Sequence, residues 1–186
     1  MNRKTALVPV ANGSEDIESV TLIDVLRRAG VEVTVASVEQ DLQVTCSRHT
    51  RITADTRLTE VQARDFDLIA LPGGMPGAER LRDCAALVAL LKKQDARGAL
   101  IGAICASPGV VLGAHGLVGL RIVTVYPGFE GLLPAGSVQD AAVVRGGNLV
   151  TGRGPAAAMA FALALVEALC GRASAEQVAG GLLTAL

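Results

Sequence analysis

The sequence predicts an α/β fold with a mainly parallel central sheet and helices on both faces. Short apolar runs rich in β-branched residues alternate with segments of helical spacing along all 186 residues, the pattern of strands joined by crossover helices. Several of those runs are apolar throughout, as strands covered on both faces are. Hydrophobic residues make up 51% of the chain, and no linker, repeat or low-complexity tract interrupts it. Residues 1–186 therefore read as one well-buried domain.

Taken in order, Thr5–Ala11 ("TALVPVA") reads as the first strand rather than a signal peptide, because Pro9 breaks its apolar stretch and acids follow. Glu15 to Ala29 has helical spacing and stops at Gly30. Val31–Val38 alternates as a strand should. "LQVTCS" and "TRITAD" suggest two short strands forming a hairpin, and Phe66–Gly74 a strand that breaks at two glycines. Leu81 to Ala96 predicts a helix, Ala99–Cys105 a buried strand, and Pro108 to Ala114 a short helix. Leu120–Pro127 reads as a further strand. "DAAVVRGGNLVTG" predicts a hairpin turning at Gly146-Gly147. Pro155 opens an apolar helix to Leu169, and Ala175 to Leu183 closes the chain with a last short one.

Composition excludes several classes of function. A net charge of −1 with scattered Lys and Arg provides no basic footprint for nucleic acid or an anionic membrane. Aromatic residues make up 2%, too few for base stacking. The longest apolar segment, Ala156 to Val166, is too short to span a bilayer. The four cysteines, Cys46, Cys84, Cys105 and Cys170, form no CxxC pair, hence neither a disulfide framework nor a zinc ribbon, and the C-x-x-H of Cys46 and His49 has no second ligand pair to complete a metal site. The expected setting is a reducing cytoplasm, with no metal and no cofactor.

In doubly wound sheets, ligands gather beyond the carboxyl ends of the strands, and three such ends carry candidate residues. Cys105 sits where an apolar strand turns sharply into small residues and Pro108, an arrangement like a nucleophile elbow. Two readings are open: a buried core thiol, or a reactive one whose pKa a helix N-terminus lowers. Glu18 shares a stripe with Leu22, Val25 and Ala29. A carboxyl on that apolar face should have a raised pKa, and only its neutral form is compatible with a reactive Cys105. Glu15 and Asp16 beside it are explained by helix-dipole compensation. In "LPGGMPG" (Leu71–Gly77), the glycines either make a simple turn or let Gly73 or Gly74 aim a backbone N–H at a substrate oxyanion, with Ala106 N–H as the second donor. The two histidines, His49 and His115, supply no base close to the thiol in sequence; a ten-residue helix would put His115 about 15 Å from Cys105.

Together these residues resemble the ThiJ/PfpI superfamily, in the branch of the Parkinson's-disease-associated protein deglycase and its bacterial relatives. The resemblance rests, in order, on "GSEDIE", "DVLRRAG", "VTCSR", "DLIALPGGMPGAERL", "AICASPG", "GRGP" and "FALALVEALCG". It implies a flavodoxin-like three-layer sandwich, of the class I glutamine-amidotransferase type, and a homodimer. It makes Cys105 the nucleophile and oxidation-sensitive site, and Glu18 the protonated acid bonded to it. Gly74 and Ala106 match the backbone donors, Arg48 an arginine near the pocket, and Arg28 one that reaches the partner's site. The implied activities are cofactor-free glyoxalase III conversion of methylglyoxal-like α-oxoaldehydes, deglycation of proteins or thiols, and redox-regulated chaperone or sensor behaviour. Tyr126 stands where the human-type member has a histidine. With an ordinary pKa near 10, it is a hydrogen-bond donor rather than a base. Ala106 replaces the histidine of the protease-like branch, which argues against a peptidase or amidase.

Overall fold

The computed structural model describes residues 3–186. Its main sheet has seven strands: β1 (Thr5–Val10), β2 (Glu32–Ser37), β5 (Thr56–Arg57), β6 (Leu68–Leu71), β7 (Leu100–Ile104), β8 (Val143–Gly146) and β9 (Leu149–Gly152). They lie in the order β5-β2-β1-β6-β7-β9-β8. Every pairing is parallel except β8 with β9. β3 (Gln43–Thr45) and β4 (Arg51–Thr53) form a separate antiparallel hairpin, as the sequence suggests. Apart from Thr5, β1 and β6 are apolar and buried throughout, the signature of strands covered on both faces. The β1–β6 ladder stops at Leu7↔Ile69, short of Pro9, which has no N–H to extend it.

Six helices flank the sheet: α1 (Asp16–Arg28), α2 (Leu58–Val61), α3 (Gly77–Asp83), α4 (Ala85–Ala96), α5 (Ala158–Cys170) and α6 (Arg172–Gly181). α1 packs on α5 and α5 on α6, while α3 and α4 pack together with the segment after β7. The core is therefore built from Leu, Val, Ile and Ala, with Phe66 and Phe161 its buried aromatics. No helix among the described residues is long and apolar enough to cross a membrane.

Four expectations need correction. Leu120–Pro127 is not a strand. β8 already occupies the free edge of β9, so this segment keeps only an isolated bridge between Val123 and Val138. Val123, Thr124 and Val125 are buried in a core-lining loop, while Ile122 before them is exposed. The helix expected over Leu81–Ala96 is two, because Cys84 takes an extended conformation (ψ 98°) between them. Neither Gly nor Pro marks that break. The element after Cys105 is a six-residue π-helical turn, Pro108–Gly113, not a regular helix. The hairpin turns at Gly147-Asn148, one residue later than expected, since Gly146 pairs with Leu149 and Gly147 takes the left-handed φ of +62°. β5 and α2 are too short to show any period in the sequence.

Candidate active site

The strand order reverses between β1 and β6, and a crevice forms at the carboxyl ends on either side of such a reversal. Three loops meet there: the β1–α1 turn, the Pro72–Pro76 loop after β6, and the elbow after β7. Glu15 caps α1, its Oε2 accepting the Glu18 N–H at 2.8 Å. The cap sets the first turn so that Glu18 points inward, on the same buried stripe as Leu22 and Val25.

Glu18 is wholly inaccessible to solvent. Its Oε2 accepts the Gly73 N–H at 2.8 Å, while Oε1 has no hydrogen-bond partner of good geometry. Burial raises the carboxyl to about 7; the Gly73 N–H opposes that rise and the nearby Glu15 charge adds to it. The apolar stripe foretells the rise but not its outcome: at neutral pH Glu18 exists in both protonation states. The expectation that only its neutral form suits a reactive Cys105 needs correction, the ionised form lying where it can take the thiol's proton. Glu18 also acts directly on Cys105, each group perturbing the other through a side-chain contact.

Cys105 has a φ of +63°, a conformation that costs a non-glycine residue about 1–2 kcal/mol. Two backbone bonds hold it there. Its N–H donates to Gly152 O, and its carbonyl accepts the Tyr126 N–H, both at 2.9 Å. The thiol is 7% exposed. Burial pushes its pKa up to about 12, the Glu18 charge adds to that, and the Gly74 and Ala106 N–H groups pull it back. The lowered pKa expected from a helix N-terminus is not found. The following π-helical turn is too short to supply a strong dipole, and desolvation outweighs it.

Gly73 and Gly74 are there for close approach. A Cβ on Gly73 would lie 2.7 Å from Cys105 Cβ and 3.0 Å from Glu18 Oε2. Gly74 has a φ of +87°, and a Cβ there would fall 2.4 Å from Glu15 N. The buried Ser107 hydroxyl donates to Pro72 O at 2.6 Å, tying the elbow to the loop. A pocket of about 270 Å³ opens over the thiol, walled in part by Glu15, Arg48, Gly74, Met75, Tyr126 and Pro155.

Asp16 holds the Arg48 side of this pocket. Its Oδ2 accepts the Arg48 N–H at 2.8 Å and the Ser47 hydroxyl at 3.2 Å, and its Oδ1 the Thr50 N–H at 3.0 Å. Burial pushes the Asp16 carboxyl up, but those hydrogen bonds outweigh it and leave it below its ordinary value. Glu15 and Asp16 thus do more than offset a dipole. Glu15 caps its own helix, a local contact, whereas Asp16 is a buried side chain that caps a distant turn and so leaves no local sequence signal.

Of the other candidates, Tyr126 lines the pocket, half-exposed, with its ring edge-on to Phe129 at 6.4 Å. Phe129 is not singled out by the sequence, and Met75 and Pro155 enter only as parts of the "LPGGMPG" and "GRGP" motifs. Arg28 is not in the pocket of its own chain; it pairs with Asp24 at 2.6 Å on the surface of α1. His49 is an exposed loop residue, and the His115 ring bonds the Arg82 carbonyl at 2.9 Å. Neither lines the pocket. Among the described residues no cluster of His, Cys, Asp or Glu could hold a metal ion.

A doubly wound α/β protein with a strained cysteine elbow and a buried carboxyl behind the thiol is the class that fold and site define. The chain belongs to the DJ-1/PfpI family, whose family model matches residues 4–168. It is 44% identical over 180 residues to Protein DJ-1 homolog B of Arabidopsis thaliana, covering 96% of this chain and 41% of that protein. The chain thus spans less than half the length of that relative and of its Arabidopsis counterpart, DJ-1 homolog A. A Caenorhabditis elegans relative named Glutathione-independent glyoxalase DJR-1.2 is 39% identical, with 91% of this chain and 90% of that protein covered. Among solved structures, oxidized Toxoplasma gondii DJ-1 superposes with a TM-score of 0.97 at 48% identity, covering 98% of this chain and all of that one.

Proposed function

We propose that the protein is a cofactor-free glyoxalase III-type enzyme that converts α-oxoaldehydes such as methylglyoxal to hydroxy acids, with Cys105 as nucleophile and Glu18 as acid–base. The observation that carries this reading is the Glu18 carboxyl, wholly buried against the thiol, with one oxygen tied to Gly73 and the other unpartnered. The C. elegans relative's name supports the same class of chemistry.

Burial makes free thiolate scarce, so the thiol adds to the aldehyde as it loses its proton to ionised Glu18, whose raised pKa near 7 suits it to that task. An Sγ–C1 bond forms, and Glu18 passes the thiol's proton to the aldehyde oxygen, which completes a hemithioacetal and leaves Glu18 ionised again. The Gly74 and Ala106 N–H groups stabilise the negative charge that develops. Glu18 then moves the C1 proton by way of an enediol to C2, giving a thioester. Water attacks it, the C1–Sγ bond breaks, and the thiol is restored. The sum is one α-oxoaldehyde plus one water to one hydroxy acid, with no external oxidant. Tyr126, at the pocket wall, orients a carbonyl by donating a hydrogen bond.

Early adducts on proteins or thiols fit the same mechanism as alternative substrates, which is the deglycase form of this proposal. A homodimer belongs to it as well: Ile17 and Val20 lie exposed on α1, the helix that carries Arg28. The cytoplasmic setting is part of it on the strength of the four free thiols. The test is lactate production from methylglyoxal by wild type, Cys105→Ser and Glu18→Ala. Catalytic turnover by wild type alone is expected; stoichiometric adducts without turnover would overturn the enzyme.

A second reading, a redox sensor or redox-regulated chaperone, is favoured by the oxidized state named for the matched Toxoplasma protein. The same donors would stabilise a cysteine sulfinate at position 105. Its test is intact mass after mild peroxide, with two added oxygens expected on Cys105 and the other three cysteines unmodified. Uniform oxidation of all four would sink it.

A further inference from the structure

Thr151 and Thr124 are buried polar residues that the chemistry above does not use. Thr151 lies in β9, beside Ala103 of β7 and opposite Val144 of β8, so both edges of its strand are taken. The next residue, Gly152, backs onto α5, where a Cβ would lie 2.9 Å from the Phe161 ring. Side chains alternate along a strand, which turns Thr151 to the opposite face. There it meets the Leu120–Pro127 segment, its Oγ1 accepting the Thr124 N–H at 2.9 Å. A buried backbone N–H needs a partner, and with the sheet edge closed a side chain supplies it. The Thr151 hydroxyl in turn donates to Val144 O, a long bond of 3.4 Å.

Two residues beyond Thr124, the Tyr126 N–H donates to Cys105 O at 2.9 Å, and the Cys105 N–H donates to Gly152 O at the same distance. The path is closed: from Thr151 through Thr124 and Tyr126 to Cys105, and back through Gly152 to β9. Other bonds of the segment run away from the sheet, Val123 N–H to Ser137 O and the Thr124 hydroxyl to Ala141 O, each at 2.8 Å. The loop that receives them is largely exposed and is a poor anchor on its own. We infer that Thr151 is a positioning residue for the thiol site: its hydroxyl, acting through Thr124, fastens the Tyr126 segment to β9. The Cys105 elbow is thereby held in its left-handed conformation and the Tyr126 ring at the pocket wall. The consequence for turnover rests on the glyoxalase reading, but the placement of Tyr126 and Cys105 does not.

The test measures hydrogen exchange of the Tyr126 amide, and kcat/KM for methylglyoxal, in Thr151→Val, Thr151→Ser and Leu87→Ala. Valine keeps the shape of threonine and leaves the Thr124 N–H without its partner. Serine keeps the hydroxyl and loses a methyl group. Leu87 is fully buried on α4, outside the hydrogen-bonded path, so its truncation weakens the fold without touching the hydroxyl. In Thr151→Val the Tyr126 amide should exchange about tenfold faster or more, and kcat/KM should fall by about as much, the scale of one buried hydrogen bond. Thr151→Ser should stay close to wild type in both, and Leu87→Ala should leave the Tyr126 exchange unchanged. A wild-type exchange rate in Thr151→Val overturns the inference. So does a serine variant that behaves like the valine one, or equal acceleration in Leu87→Ala. Exchange does not depend on turnover, which separates the two readings. If even wild type fails to turn over methylglyoxal while Tyr126 exchange follows the hydroxyl, the positioning role stands and the enzyme falls. If exchange ignores the hydroxyl, the positioning role falls whatever the turnover.

Discussion

Cys105 and Cys46 are both buried thiols near the start of α1, 7% and 3% exposed, and both are pushed far above an ordinary cysteine. Burial raises Cys46 to about 11, with the Asp16 and Glu15 charges adding to it, and Cys105 to about 12, with the Glu18 charge adding. Resting acidity therefore does not distinguish them. What differs is the surroundings. Cys46 faces two carboxylates and no hydrogen-bond donor that lowers its pKa. Cys105 faces two backbone N–H groups, a carboxyl poised near neutrality, and a pocket. A thiol becomes useful when something can take its proton and something else can hold the charge that follows. Desolvation on its own only buries it.

The largest break in this comparison is Cys105→Ser, which should lower kcat/KM for methylglyoxal by about a thousandfold or more, whereas Cys46→Ala should leave it close to wild type. Steady-state lactate formation measures both. Next comes Gly73→Ala. Its Cβ would press on Cys105 Cβ at 2.7 Å, and displacing a reacting atom by about 1 Å costs on the order of a hundredfold, with circular dichroism showing the fold intact.

Glu18→Gln sharpens the role of the carboxyl through stability. Glu18 is raised from 4.5 to about 7 by burial, so between those values the folded state holds a proton that the unfolded chain has lost. Wild-type stability should fall as pH rises from about 4.5 to 7 and then level off, by roughly 3 kcal/mol at most from this group. The glutamine variant should lack that decline, as urea unfolding across the range would show. The smallest effect is expected from Asp16→Asn. It weakens the bonds that hold the Ser47–Thr50 turn, and should raise KM by up to about tenfold with little change in kcat, the scale of one hydrogen bond to a charged group.

Much of this arrangement is legible in the sequence because it follows from periodicity. The stripe of Glu18, Leu22 and Val25 reveals a buried carboxyl, and the strand ends before Gly73 and Cys105 mark the loops that meet it. Other parts depend on tertiary pairing. Val123 to Val125 carry a strand's residues, yet β8 holds the edge they would need. Asp16 looks like an ordinary first-turn acid, and only the fold brings it to the Arg48 turn. The thiol's raised pKa is also invisible locally, since it comes from burial by loops distant in the chain.

The central claim is that Glu18 takes the proton of Cys105, and the pH profile of kcat/KM for methylglyoxal tests it most directly. Wild type should show activity rising with pH through an inflection near 7, the value to which burial raises Glu18. In Glu18→Gln that inflection should vanish and the residual rate should rise only towards the thiol's own high pKa. An inflection near 7 that persists unchanged in Glu18→Gln would contradict the account.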